Sequence, residues 1–201
     1  MKKQNIIKPN LTYEKNIGGV ILGIDEVGRG SIAGPVFAAG IVLDNKVNNP
    51  NINDSKKLSV TKRNNAFEYL ITYYKYIVQH SSVDKIEEVN ILQASLLAMK
   101  KVIDTINTKY DYIFIDGNAR PKHTANNIIN IVAGDQKSLS IAAASIIAKV
   151  TRDKFMNTLS QEYPQYLWQK NKGYCTKEHV DAIKKYGITP HHRKSFLKNL
   201  I

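Results

Sequence analysis

The order of apolar segments in this 201-residue chain predicts an α/β protein built on a mixed β-sheet. Several strand-like segments precede the first long helical segment, so a strictly alternating parallel sheet is not expected. Three of these segments lead into acidic residues, which indicates that carboxylates converge on one place. The length suits a single domain over residues 1–201, which would bury about 70% of its unfolded surface.

Strands are predicted where β-branched and aromatic residues cluster between polar or glycine-containing segments. Residues 1–17 are polar and are expected to form a loose extension or a short edge. The polar stretch 44–58 contains Asn48-Asn49-Pro50-Asn51 and predicts a loop, as do residues 117–123. The predicted strands are residues 20–25, 35–43, 73–82, 112–116 and 128–132.

Helices are predicted from capping residues and from apolar residues at helical spacing. Ser59 is a plausible N-cap for a helix through residue 70, and an amphipathic pattern predicts a second helix over residues 89–107. A long helix is expected from Ser138 to about residue 159, and its small residues at 142–148 would allow close approach to a sheet. Residues 176–186 and 192–200 predict two further helices, in a helical C-terminal extension that begins near residue 155.

The charge balance favours a polyanionic partner. The chain has 29 Lys and Arg against 17 Asp and Glu, a formal net charge of +12. A basic body around an acidic pocket suits nucleic acid brought to a metal, although an AT-rich genome would also produce many lysines.

No apolar run approaches the roughly 20 residues of a membrane span, and no secretory signal is evident. The lone Cys175 fits a reducing, cytoplasmic location.

Four acids are the candidate catalytic and metal-binding residues. Asp25 and Glu26 end the first apolar run, Asp116 closes another, and Asp135 follows a third. Clustered carboxylates repel by roughly 1 to 4 kcal/mol per pair at 4 Å, so a Mg²⁺ or Mn²⁺ site explains them better than solvated loops do. Because adjacent strand residues point to opposite faces, Asp25 and Glu26 can share a site only where the strand twists or ends.

The segment Gly28-Arg29-Gly30-Ser31-Ile32-Ala33 matches the glycine pattern of a dinucleotide-binding turn. A β-type run follows it, however, where that motif needs a helix, and the neighbouring acids would repel a pyrophosphate.

Lys56 and Lys137 lie in loops before predicted helices and are candidates for phosphate contact. Tyr174, beside Lys172 and Gly173, is suited to stacking on a sugar or base. His179, His191 and His192 are too dispersed for a zinc site, no Cys partners accompany them, and they are expected to have structural or surface roles.

An ordered set of motifs resembles the ribonuclease HII family from about residue 19 to residue 196. The set consists of GIDEVGRGSIAGPV (23–36), DSKKL (54–58), DG (116–117), GDQKS (134–138), IAAASIIAKVTRD (141–153), KGY (172–174) and HRKSF (192–196). The resemblance implies an RNase H-like fold, with a mixed five-stranded sheet flanked by helices and a C-terminal helical extension.

The resemblance also implies an endoribonuclease that cuts RNA in RNA–DNA hybrids and at ribonucleotides embedded in duplex DNA, as in ribonucleotide excision repair. Asp25, Glu26, Asp116 and Asp135 match the four metal-binding acids of the family, which would hold two Mn²⁺ or Mg²⁺ ions in the substrate complex. Gly28, Arg29 and Gly30 match its ribose-sensing turn, and Tyr174 matches its junction-sensing tyrosine. Lys56 and Lys137 fall where the family has phosphate-contacting lysines. A monomer without membrane contact is expected.

Three other functions fit parts of the pattern. Ribonuclease HIII is a related hybrid-cutting enzyme, but that family carries an extra N-terminal domain and fewer than 20 residues precede the first predicted strand here. A non-catalytic nucleic-acid-binding module would gain nothing from an acidic pocket facing phosphates. A nucleotidyltransferase or DNA nuclease would leave the Gly-Arg-Gly turn and Tyr174 unexplained.

Overall fold

A five-stranded sheet lies at the centre of the protein. The structure is a computed structural model that describes residues 8–44, 47, 51–125, 127–198 and 200. Predictions for residues 1–7, for 45, 46 and 48–50 of the predicted loop, and for residue 199 lie outside the described residues. The strands are Ile21–Val27 (β1), Val36–Leu43 (β2), Lys75–Ser81 (β3), Tyr112–Asp116 (β4) and Ile128–Ile131 (β5).

The strand order β3-β2-β1-β4-β5 makes this a mixed sheet. β2 pairs antiparallel with β1 and with β3, whereas β4 pairs parallel with β1 and with β5. The predicted fold class, a mixed five-stranded sheet with helices, is confirmed. Ile24 of β1 is in register with Ile115 of β4, so the next residues, Asp25 and Asp116, lie side by side at the carboxyl ends of two parallel strands.

Seven helices occur in the described part of the chain, and three of them begin where the sequence predicts a helix start. Ser59, Ser138 and Thr176 each accept a hydrogen bond from the backbone N–H three residues later, which satisfies an otherwise free donor. The helices are Thr12–Ile17 (α1), Val60–Tyr73 (α2), Val83–Thr105 (α3), Leu139–Glu162 (α4), Trp168–Asn171 (α5), Lys177–Tyr186 (α6) and Lys194–Leu197 (α7).

The two longest helices cover opposite faces of the sheet. α4 packs on β1 and β2 through fully buried small residues, including Ala142, Ala143 and Ala144. The fit is close, since a Cβ atom built on Gly23 of β1 would lie 2.3 Å from the backbone of Ser140. α3 packs against the other face, where Val102 contacts the cluster around Ile24. Burial on both faces explains why β1, β2 and β4 are apolar runs without alternation.

The C-terminal segment packs against the turn between β1 and β2. Ile32 and Ala33 of that turn share a buried cluster with Met156 near the end of α4 and with Trp168 of α5. Two isolated bridges extend this contact, one joining Ser31 to Tyr174 and the other joining Ala33 to His192. The extension therefore contributes to the edge of the sheet where the acids lie. Among the described residues, no helix combines the length and apolar character that a membrane crossing requires.

The N-terminal prediction is wrong for residues 12–17, which form α1 instead of a loose extension or an edge. The helix is anchored by buried Glu14, whose Oε1 accepts hydrogen bonds from Ser138 Oγ at 2.6 Å and from Ser140 N at 3.0 Å. A carboxylate at a helix N-terminus satisfies free N–H groups and opposes the positive end of the helix dipole. α1 thus caps α4, the helix that begins just after Asp135.

Several predicted boundaries are also wrong. α3 begins at Val83 instead of residue 89, because Ser82 caps its N-terminus and Asn90, with φ of 68°, interrupts the helix. The helix predicted over residues 192–200 is confined to Lys194–Leu197, since His192 is engaged in the bridge to the β1–β2 turn. β3 begins at Lys75 because α2 continues through Tyr73.

Candidate active site

Asp25 and Asp116 occupy neighbouring positions at the ends of β1 and β4. Asp25 is only 5% exposed, and its Oδ1 accepts a hydrogen bond from Glu26 N at 2.7 Å. Burial raises the pKa of the Asp25 carboxyl well above its usual value, and the negative charges of Glu26, Asp116 and Asp135 raise it further. A buried acid surrounded by three others is costly to ionise, so this site has a strong preference for positive charge.

Glu26 points to the face of the sheet opposite Asp25, because β1 continues through Val27 as a regular strand. Glu26 and Asp116 line one small cavity of about 60 Å³ beside α3. Burial raises the pKa of the Glu26 carboxyl, Arg29 opposes that rise, and Asp116 adds to it. Asp116 therefore interacts with acids on both sides of the sheet edge.

Asp135 reaches the same site from a 3₁₀ turn at Gly134–Gln136. The turn is held by a 2.6 Å hydrogen bond from Gly134 N to Asp116 Oδ1, so the two acids are positioned by one short connection. Asp135 is buried, which raises its pKa, and the charges of Asp54 and Asp116 raise it further while Lys56 lowers it. All four predicted acids thus belong to one electrostatic cluster.

Lys56 places a positive charge beside Asp135. Its Nζ lies 3.6 Å from Asp135 Oδ2, and the side chain is 79% exposed. Burial of part of the stem lowers the pKa of Lys56, but the charges of Asp135, Asp25, Asp54 and Asp116 outweigh this and raise it. An exposed, firmly protonated amine beside the acids is available to a substrate phosphate.

Asp54 is a participant that sequence reasoning did not assign to the site. It is 3% exposed, and its Oδ1 accepts a hydrogen bond from Lys56 N at 2.9 Å, which fixes the start of the lysine loop. An Asp two residues before the bonded amide is the usual pattern of an Asx turn, so the sequence did carry a signal for Asp54.

Lys137 is engaged differently from Lys56. Its amine donates to Val132 O at 2.7 Å, and no contact with the four acids is seen among the described residues.

The donor set fits divalent cations. Four carboxylates, with Asp25 and Asp135 buried, supply the hard oxygen ligands that Mg²⁺ and Mn²⁺ prefer. Within the described ranges, no three acidic, histidine or cysteine side chains form a ready-made metal cage. Glu26 and Asp25 point to opposite faces of the sheet, so the described side chains alone do not surround an ion. The arrangement suits ions whose remaining ligands come from water and from a bound phosphate.

The turn after β1 presents exposed backbone beside the acids. Gly28 has φ of 94°, and a Cβ atom there would lie 2.3 Å from Arg152 Nε, so the fold itself requires glycine. Gly30 differs, because a Cβ atom there would meet no protein atom and its φ is not left-handed. Packing gives no reason for glycine at position 30. Arg29 is half exposed and lies 3.3 Å from Glu26 Oε1.

Tyr174 lies next to this turn, as its bridge to Ser31 shows. The ring is half-buried, with Arg152 Cζ at 5.6 Å and Lys149 Nζ at 5.7 Å from its centroid. Cations near an aromatic face hold the ring in place and keep positive charge nearby. The structure therefore brings Tyr174 together with the Gly28–Gly30 turn, although 143 residues separate Ser31 from Tyr174 in sequence.

Two of the three histidines, His179 and His192, form a buried hydrogen-bond network. His179 Nδ1 donates to Tyr174 O at 2.9 Å, while its Nε2 accepts from Trp168 Nε1 at 2.9 Å. His192 Nε2 lies 3.2 Å from the same His179 nitrogen and supplies a second donor to it. Burial, followed by the charges of His179 and His191, lowers the pKa of His192 to about 4, so the network is neutral at physiological pH. It fixes the backbone of Tyr174.

The chain is similar to known proteins over most of its length. The Ribonuclease HII family model matches residues 22–199. Ribonuclease HII of Wolbachia sp. subsp. Brugia malayi (strain TRS) is 48% identical over 189 residues, covering 94% of this chain and 93% of the relative. The crystal structure of ribonuclease H2 from Pyrococcus horikoshii OT3 superposes with a TM-score of 0.72 at 26% identity, covering 90% of this chain and all of that one.

A more distant structure extends the likeness of the fold. Bst-RNase HIII, whose crystal structure is a complex with Mn²⁺, superposes with a TM-score of 0.68 at 16% identity. The alignment covers 88% of this chain and 66% of that protein. At this identity the likeness concerns the fold alone.

Asp25→Asn should stabilise the metal-free protein. A carboxyl with a raised pKa holds its proton more tightly when folded, so the unfolding free energy of the wild type falls as pH rises through that pKa. The amide keeps an acceptor for Glu26 N and removes this penalty. In EDTA, calorimetry should give the variant a higher Tm than the wild type at about pH 7, with the difference shrinking toward about pH 4.

Asp181→Asn, at an exposed position of α6, is the matched control and should leave this pH dependence unchanged. A variant that melts below the wild type at both pH values would show that ionised Asp25 stabilises the metal-free fold.

Proposed function

This chain belongs to the ribonuclease HII family, and we propose that it nicks duplex DNA on the 5′ side of embedded ribonucleotides as well as cutting RNA–DNA hybrids. It is an endoribonuclease of the ribonuclease H type 2 class, which acts on the RNA strand of such hybrids. The products of both reactions would carry 5′-phosphate and 3′-hydroxyl ends. The convergence of Asp25, Glu26 and Asp135 on Asp116, next to a glycine turn and Tyr174, is the observation that supports this proposal.

Asp25, Glu26, Asp116 and Asp135 would hold the catalytic ions. When bound, two Mg²⁺ or Mn²⁺ ions would supply the charge that activates water and stabilises both the attacking and the leaving oxygen. The protein's part is to hold the carboxylates in place, which the β1–β4 register and the Gly134-to-Asp116 hydrogen bond do. The Mn²⁺ complex of Bst-RNase HIII, a protein with the same fold, agrees with this choice of ion.

Lys56 would bind a phosphate that lies next to the acids. Its amine is exposed and sits 3.6 Å from Asp135, so it can bridge that carboxylate and the substrate backbone. The net charge of +12 would attract the polyanionic strand to the site. Lys137 remains a candidate for a second phosphate contact, although its amine is bonded to Val132 O in this structure.

The Gly28–Gly30 turn and Tyr174 would read the sugars on the two sides of the cut. A protein distinguishes RNA from DNA through the 2′-hydroxyl, which both donates and accepts hydrogen bonds. At Gly30 no packing requires glycine, so the absence of a side chain there leaves room for a sugar to approach the backbone. Tyr174, adjacent to the turn, would pack on the following deoxyribose. This arrangement tests for RNA followed by DNA.

Asp116→Asn should abolish cleavage and leave the fold intact. The amide oxygen can still accept the hydrogen bond from Gly134 N, but the change removes the charge that acts on the other three acids. We expect kcat on an RNA–DNA hybrid and on a duplex with one ribonucleotide to fall by about a hundredfold or more. Gel-resolved cleavage in Mn²⁺ measures this.

The same substitution at exposed Asp181 should leave kcat on both substrates unchanged. Near wild-type cleavage by a folded Asp116→Asn enzyme would refute the assignment of the acids. A wild type that cuts hybrids but not the duplex with a single ribonucleotide would refute the nicking activity alone.

Tyr174→Ala should impair nicking at a single ribonucleotide more than cutting of a long hybrid. Loss of one sugar or base contact to an aromatic ring costs about tenfold or more in kcat/KM, and a long hybrid offers no RNA–DNA junction for the ring to read. The ratio of kcat/KM on the two substrates measures the effect. Tyr186→Ala on α6, a ring that is 53% exposed, is the control. Equal losses on both substrates would mean that Tyr174 only supports the fold.

A further inference from the structure

Arg152 of α4 and Arg193 near the C-terminus are both fully buried and lie close enough for their charges to interact. In the described part of the chain neither forms an ion pair, and the acidic charges of Asp153 and Glu87 act on them only at longer range. Two buried guanidinium groups without a paired carboxylate are expensive in free energy. The hydrogen bonds of these two guanidinium groups indicate their role in the fold.

Among the described residues, the guanidinium of Arg193 donates hydrogen bonds only to the turn between β1 and β2. Its Nε and one terminal nitrogen donate to Gly34 O at 2.9 and 2.7 Å, and the other terminal nitrogen donates to Arg29 O at 3.0 Å. Arg29 is the central residue of the turn that would read the ribose. The fork-shaped guanidinium of Arg193 therefore fixes Arg29, near the start of the β1–β2 turn, and Gly34, near its end.

Arg152 joins the same turn to the segment that carries Tyr174. It donates to Pro35 O at 3.0 Å and to Ala33 O at 3.0 Å, and a third bond at 2.9 Å reaches Lys172 O. Its guanidinium also lies 5.6 Å from the centre of the Tyr174 ring. Arg152 thus contacts the turn, the backbone next to Tyr174 and the ring itself.

Backbone hydrogen bonds also join the β1–β2 turn directly to the segment that carries Tyr174. The amides of Ile32 and Ala33 both donate to Gly173 O, at 2.9 and 3.2 Å. Gly173 must lack a side chain, because a Cβ atom there would lie 2.5 Å from Ala33 O. Gly28 has the same constraint beside Arg152 Nε. The glycines on both segments thus serve the packing that brings the segments together.

We propose that Arg152 and Arg193 are positioning residues that couple the Gly28–Gly30 turn to Tyr174, so that the two sugar contacts form as one unit. The inference rests on the proposed nicking function and adds residues that touch no substrate. Six hydrogen bonds to backbone carbonyls offset part of the cost of burial, and hydrogen bonds to charged groups are the stronger kind. Burial, and then the charge of Arg152, lowers the pKa of Arg193 to about 9, so it is charged at neutral pH.

Arg193→Lys tests the coupling because it keeps the charge and removes the fork. A single ammonium group cannot reproduce the geometry that joins Arg29 O to Gly34 O. We expect kcat/KM on a duplex with one ribonucleotide to fall about tenfold more than kcat/KM on a long hybrid, as for the loss of a charge-assisted hydrogen bond. Arg152→Lys should give the same pattern, and it replaces Arg193→Lys if that variant does not fold.

Two controls separate coupling from general loss of stability. Arg63→Lys is the matched change, since Arg63 also donates to two loop carbonyls, those of Ser55 and Leu58, away from the coupled segments. Leu70→Ala removes a fully buried side chain from α2 and lowers Tm without touching either segment. The substrate ratio should stay at the wild-type value in both controls.

Amide hydrogen exchange provides a readout that does not depend on activity. In Arg193→Lys, peptides that cover residues 29–34 and peptides that cover 172–175 should both exchange faster, although Arg193 itself bonds only to the first segment. Faster exchange in the turn alone, or equal losses on both substrates, would overturn the coupling. If the wild type fails to nick at a single ribonucleotide, the proposed nicking activity is wrong, and the exchange data still decide whether the segments are coupled.

Discussion

Parallel pairing of β1 with β4 is the constraint on which the site depends. It puts Asp25 beside Asp116 at the edge of the sheet, and Asp116 then connects Glu26 on one face with Asp135 on the other. The pairing also places like charges where water is scarce, which raises the free energy of the metal-free protein. Burial on both faces by α3 and α4 stabilises the strands enough to hold the acids there. Function and strain share one cause: the proximity that makes the carboxylates repel one another also attracts divalent ions.

A second set of constraints connects the acids to the part of the enzyme that would read sugars. The strand that carries Asp25 runs directly into the Gly28–Gly30 turn, so the backbone that would read the sugar has a fixed position relative to the acids. Arg152 and Arg193 then attach the C-terminal segment to that turn, and His179 holds the carbonyl of Tyr174. The C-terminal extension therefore belongs to the site and is more than a cover for the sheet.

Local patterns in the sequence predicted the strands, the N-cap at Ser59, the helix starts near Ser138 and Thr176, and the convergence of four acids, since apolar runs, capping residues and acids at strand ends can be read from neighbouring residues. They did not predict α1, because residues 12–17 are mostly polar and their anchor is the single buried Glu14. The true start of α3 was missed because Asn90 interrupts its helical pattern. The roles of Arg152 and Arg193 were invisible, since a sequence does not reveal which backbone carbonyls remain unpaired after folding. Motif spacing placed Tyr174 at the site only through the family resemblance.

Proton release on Mn²⁺ binding tests the central claim most directly, namely that buried acids are held together for a cation. Metal ligands must lose their protons, so acids with raised pKa values should release protons when the ion binds. Isothermal titration of Mn²⁺ at about pH 6, in two buffers of different ionisation enthalpy, counts these protons. The account predicts measurable release from the wild type and less from Asp25→Asn. Binding without proton release, or equal release from both proteins, would contradict it.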